Sequence, residues 1–179
     1  MRFRAKEIIV RMDAVEFIVR QIHALQRQID ATMEGMTAEL FHWQPPGVTN
    51  AIHAIFLHLN SAEDRFIQTA ALGQPSLWER DGWKEKIGIH AAGRGTSWAE
   101  LHDAASTLSA ALAYQTAVRA ATEAYLAALT PEELTRKIQF LGAERPIADM
   151  LTILVVHGAS HAGEIAALKG VQGVKGLGF

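Results

Sequence analysis

The sequence predicts an all-α protein, a bundle of four long helices with a short extra helix before the last of them. Three observations carry that expectation. Apolar residues recur at helical spacing in four long segments. Nearly half of the residues are apolar, with Ala and Leu abundant and Tyr present only twice, a balance that favours helix over sheet. No segment shows convincing strand alternation. At 179 residues the chain suits a single domain, 1–179, long enough to bury one core.

The first helix is marked by Ile8, Met12, Val15, Val19, Ile22, Ile29 and Met33 and ends near Gly35. The stretch FHWQPPGVTN, with Pro45, Pro46 and Gly47, is a connector. Thr49 or Asn50 can cap a second helix, which runs through Ile52, Ile55, Leu59 and Phe66 and stops near Gly73. The third helix is expected to open at Ser97, where Glu100 completes a capping box, and to continue through Leu108, Leu112, Val118 and Leu126 to Thr130. TPEEL then starts the short extra helix, with Pro131 at its first position. The fourth long helix spans from near Pro146 to Gly170. Its glycine-spaced tail, GVQGVKGLGF, is expected to be loosely ordered. The link from Gly73 to Thr96 exceeds the usual helix–helix connection of about two to eight residues more than twofold. Trp78 and Trp83 within it either cover a site or pack the loop.

Composition removes several function classes. A net charge of −2 offers no electrostatic footprint for nucleic acid. The absence of cysteine removes disulfides, thiolate metal sites and a cysteine nucleophile, and suits a reducing cytoplasm. MRFRAKEIIVRMD lacks the apolar core of a signal peptide, and no stretch reaches about twenty uninterrupted apolar residues, so no membrane span is expected. There is no nucleophile elbow and no phosphate-binding loop. Position 158 is Gly, so the H-E-x-x-H pattern of a zinc protease is absent, as is the paired Glu-x-x-His of di-iron bundles.

What remains is VVHGASHAGEI, residues 155–165. His157 and His161 are four apart, so they share a helix face and can reach one ion. Glu164 continues the stripe that begins at Met150 and Leu154, and the small residues on the other sides make the helix read as enclosed. A buried imidazole needs a partner or a metal, because leaving it unpaired is costly. A third ligand must come from a facing helix. His53 and His58 are five apart and so roughly 140° apart around the axis, and cannot share a face. His58, in the run IFLHL, suits the inward position better than His53, which lies near the cap. Glu164 can orient an imidazole, form an ion pair or act as a base, and is the one candidate catalytic residue. Glu63 and Asp64 point away from the His58 face and read as structural. Gln115 and Arg119 interrupt the apolar stripe of the third helix and are candidates for substrate contact.

TNAIHAIFLHLNSAEDRF, with its HLxxxED core, resembles the second helix of the DinB-like superfamily, and VVHGASHAGEIAALKGVQGVKGLGF resembles that family's last helix and tail. LFHWQPPGVTNAI and WERDGWKEKIG are similar to the same group. The resemblance implies a four-helix bundle in up-down-down-up order, often a homodimer. It implies one divalent metal, such as zinc, nickel, manganese or iron, held by His58, His157 and His161. It further implies thiol-dependent transferase or isomerase chemistry, the thiol arriving as a cosubstrate; because a three-histidine site leaves a position for a thiol or water, the expected reaction is transfer or hydrolysis on a small molecule. A non-enzymatic metal-binding or dimeric module is the competing expectation.

Overall fold

The computed structural model describes residues 12–89 and 97–177. The described residues are mostly helical. The elements are α1 (Ala14–Met33), α2 (Ala38–His42), α3 (Ile52–Asp64) with a π-helical continuation (Arg65–Ala71), α4 (Leu77–Arg80), α5 (Trp83–Lys86), α6 (Trp98–His102), α7 (Leu108–Ala127) and α8 (Pro131–Thr135), then strands β1 (Lys137–Phe140) and β2 (Ala143–Pro146), and finally α9 (Ile147–Val171). Helix α1 packs along α9, and α3 packs against both α7 and α9.

Local signals account for most boundaries. Asp13 caps α1, its carboxylate accepting the Glu16 N–H at 2.7 Å; Ile8 lies outside the described residues. Thr130 caps α8 with Pro131 in the first turn, and Ser97 and Glu100 form the expected capping box of α6. The second long helix begins at Ile52 after Ala51, so neither Thr49 nor Asn50 caps it. Pro146 occupies the N-cap of α9.

Three expectations are corrected. The third helix is not continuous from Ser97: α6 stops after His102, and Thr107 caps a separate α7 by accepting the Ala110 N–H at 3.1 Å. Leu101 is fully buried, so α6 lies flat on α3 rather than extending α7. Second, a β-hairpin stands between α8 and α9, pairing Lys137 with Pro146 and Phe140 with Ala143. Its two-residue turn places Leu141 and Gly142 at φ of 50° and 78°, the left-handed values a type I′ turn requires. Leu stands where Asn or Asp would have advertised that turn. Third, α9 is not enclosed, because Val156 and Val171 are exposed; its Ala, Gly and Val residues make an outer face read as an inner one. By length and composition alone α9 could cross a bilayer, a test that a core helix also passes, and here it packs on α1 and α3. Gly158 permits that approach, since a Cβ there would come within 2.7 Å of the Leu25 side chain.

The long link after Gly73 is largely built rather than loose. Leu77 and Trp78 are buried, and Trp78 and Trp83 pack against Tyr114 with ring centroids 5.2 and 5.4 Å away. His90 lies outside the described residues. The tail through residue 177 is also tied down, Val174 donating to the Lys169 carbonyl at 3.0 Å. The Lys169 ammonium is itself buried and donates to the Thr32 and Glu34 carbonyls at 2.9 and 2.7 Å, closing the C-terminal end of α1.

Asp64 anchors the link. Its carboxylate accepts the Leu77 and Trp78 N–H groups, both at 2.9 Å, and the Tyr114 hydroxyl at 2.8 Å. Burial raises its pKa, and these hydrogen bonds oppose the rise. An amide at this position would turn one acceptor into a donor facing another donor. Asp64→Asn is therefore expected to lower unfolding free energy by about 2–3 kcal/mol, and Tyr114→Phe by about 1–2 kcal/mol. Urea titration checks both; a change below about 0.5 kcal/mol for Asp64→Asn would refute the anchoring role.

Candidate metal centre

Helix α3 is buried along its whole length except at one residue. Of its thirteen residues every one is buried apart from His58, which faces α9. On α9, one helical turn separates His157 from His161 at the edge of the buried face. The His157 Nε2 lies 3.2 Å from the Nε2 of His58 and 3.2 Å from the Nε2 of His161. Ligand-capable nitrogens of all three lie within 4.8 Å of one another, and the group can hold a metal ion.

The donor set fits an ion better than it fits a hydrogen-bond chain. The His157 Nε2 has either one proton or one in-plane lone pair, so it cannot serve both neighbours as hydrogen bonds. Three nitrogens each about 2.0–2.1 Å from one tetrahedral ion stand about 3.3 Å apart, close to the spacing seen. Burial, then the proximity of His157 and His161, lowers the His58 pKa to about 4. Burial, then His161 and Arg65, lowers that of His157 to about 4. Both rings are neutral at neutral pH, the form a metal needs.

The surroundings orient the rings. The Glu164 carboxylate lies 2.8 Å from the His161 Nδ1, which places the proton on Nδ1 and turns the Nε2 lone pair toward the other two histidines. His58 is held differently. Its Nδ1 is buried without a hydrogen-bond partner, and the Trp98 ring stacks on it at 4.3 Å and 28°. Phe66 stands 6.1 Å from the His157 ring. Beyond Glu164 opens a cavity of about 300 Å3 whose walls include Thr49, Asn50, Ile55 and Leu168.

Other residues singled out in the sequence stand elsewhere. His53 is buried and bonds the His102 carbonyl at 3.0 Å beside the His42 ring, away from the trio. Trp78 and Trp83 pack the loop and do not cover the histidines. Arg119 reaches across to α1, bonding both Asp30 carboxylate oxygens at 2.9 Å, and Gln115 lines a surface depression with Asp30, Met33 and Leu112. Neither touches the trio. Glu63 accepts the Thr122 hydroxyl at 2.6 Å inside the core. The residues that sequence reasoning missed are Trp98, Arg65 and Phe66. Trp98 carries one signal, an aromatic residue opening a capped turn, but nothing local says which ring it meets.

Comparisons with known proteins show a family and a fold. The sequence model of the DinB superfamily matches residues 21–165, a span that contains all three histidines and Glu164. A conserved protein from Enterococcus faecalis has a similar structure, with a TM-score of 0.76 at 17% identity over 91% of this chain and 99% of that one. A DinB-like protein from Bacillus cereus ATCC 10987 gives a TM-score of 0.62 at 19% identity, covering 92% of this chain and 96% of the other. At such identities the likeness is one of fold. No curated protein matches the sequence. The family match covers most of the chain, and the chain belongs to the DinB superfamily.

Proposed function

We propose that the chain is a metal-dependent enzyme in which His58, His157 and His161 hold one divalent transition metal. Zinc is the first choice, with nickel, manganese and iron as alternatives. The reaction is transfer or hydrolysis on a small organic molecule, with a thiol cosubstrate or water as the nucleophile. The observation that carries the reading is the convergence of three Nε2 atoms from two helices. Bound there, the ion supplies Lewis acidity and lowers the pKa of a thiol or water in its remaining coordination position. The chain has no cysteine, so a sulfur nucleophile must come from outside it.

The protein's own part is positioning. Glu164 holds the His161 tautomer, and Trp98 stacks on the His58 ring, whose Nδ1 has no hydrogen-bond partner. The buried sides of the trio exclude water and keep two of its rings unprotonated. We further propose that the long helices form a four-helix bundle in up-down-down-up order; the packing of α1 on α9 and of α3 on α7 and α9 supports it. The same reading takes the working form as a homodimer, with the exposed Val156 face of α9 open to a second copy.

Elemental analysis of tag-free protein is the direct test. One equivalent of metal is expected in the wild type, lost in His58→Ala, His157→Ala and His161→Ala and retained in His53→Ala. No metal after reconstitution with zinc, nickel or manganese would sink the reading. Metal without turnover of any thiol or electrophile would favour the binding module instead. Glu164→Ala is expected to retain the site but weaken it by about 10–100-fold, as loss of a partner to a ligand imidazole does; unchanged affinity in a competitive chelator titration would count against the positioning role.

Protons compete with the ion. Because His58 and His157 titrate near 4 rather than 6.5, metal is expected to stay bound at about pH 5.5 and to leave as the pH approaches about 4. The sign for folding follows from the same values. Between about 6.5 and about 4 the unfolded chain binds more protons than the folded one, so the ion-free protein loses stability as pH falls through that window. Thermal melts of the chelator-treated protein across that range check it, and a flat profile would contradict it.

A further inference from the structure

Strand β1 and the π-helical turn flank an open groove of about 440 Å3, lined by Arg65, Phe66, Thr69, Ile138, Gln139 and Phe140. Small-molecule sites typically measure about 300–1,000 Å3.

Two observations place the groove beside the three histidines. Phe66 belongs to both: its ring packs edge-on against Phe140 at 4.8 Å and stands 6.1 Å from the His157 ring. Arg65 is the second link. It lines the groove, and its charge depresses the pKa of both His58 and His157, so the guanidinium lies close to them. The local backbone explains how one wall serves both places. The helix changes from α to π at Arg65, immediately after the Asp64 anchor, and the wider i→i+5 repeat sets Arg65, Thr69 and Ala70 along one side.

The chemistry of the walls is specific. Phe66, Ala70, Ile138 and Phe140 supply apolar surface, Thr69 and Gln139 supply hydrogen-bonding groups, and Arg65 is the one charged residue of the lining. The carboxylate of the centre, Glu164, is bonded to His161 and lines the separate cavity with Thr49 and Asn50. The trio is thus flanked by a cationic, aromatic groove and by a carboxylate-bearing cavity. A guanidinium pairs most strongly with a carboxylate, which it can meet with two parallel N–H donors.

We infer that this groove binds the organic substrate, and that the substrate is a small carboxylate on an apolar or aromatic body, seated on Phe66 and Phe140 with its anionic group toward Arg65. The inference rests on the metal-centre reading above for the identity of the reacting site, but the groove itself needs no ion.

The test uses benzoate and its neutral isostere benzamide as probes, with the zinc-reconstituted full chain observed by amide NMR. Benzoate is expected to shift the resonances of Thr69, Ala70 and Gln139, with benzamide at least about tenfold weaker and Arg65→Gln costing benzoate about tenfold. Thr69→Trp and Gln139→Trp fill the groove from its two walls, so a folding failure in one leaves the other to report; each is expected to abolish the shifts while retaining zinc. Equal binding of the two probes, or wild-type benzoate affinity in a folded, groove-filled variant, would overturn the inference. Benzoate that binds only through the ion would survive groove filling and vanish in His157→Ala, which also overturns it. A wild type that takes up no zinc yet binds benzoate in the groove would sink the metal-centre reading and leave this one standing.

Discussion

Helix α3 is buried on every side but one, and the site depends on how that burial is satisfied. A helix enclosed by neighbours must find partners for each polar side chain it carries, because an unpaired buried group costs about 1–3 kcal/mol. Asn60 returns its amide to the Phe56 carbonyl at 2.7 Å and Ser61 its hydroxyl to the His58 carbonyl at 3.0 Å. Glu63 and Asp64 are met by Thr122 and Tyr114, both on α7. These bonds settle which side of α3 faces α7. Once that side is set, His58 has one direction left, toward α9.

Helix α9 meets the same constraint from the other side. Gly158 lets α1 close against it, Lys169 caps the end of α1, and the stretch between those residues carries His161 and Glu164. Pairing of His161 with Glu164 selects a tautomer within one helix, whereas His58 depends on Trp98 from a different element. The centre therefore has one ligand oriented by its own helix and one oriented by a distant segment. The two are exposed to mutation in different ways: the first through a neighbour in sequence, the second through the docking of α6.

The hairpin and the π turn have a shared consequence. They break the helical regularity of the domain where a groove lies beside the histidines, and Phe66 and Phe140 hold the two irregularities together. Both were invisible to periodicity. A strand of four residues is too short to display alternation, and a π turn has the same residue preferences as the α-helix it continues.

Helix content, the TPEEL turn and the pairing of His157 with His161 follow from the sequence, because each depends on residues within a few positions of one another. The spacing of two histidines on one helix is local geometry, and so is the Ser97–Glu100 capping box. The angle between His53 and His58 is local too and excludes a shared face, and the apolar run IFLHL and the family resemblance both favour His58. Tertiary structure alone decided what stands across from these residues. Trp98 reaches His58 across 40 positions of chain, Tyr114 reaches Asp64 across 50, and Arg119 turned to Asp30 rather than to the site. Such partners are selected by how whole helices dock, which sums many weak apolar contacts that no short window of sequence contains.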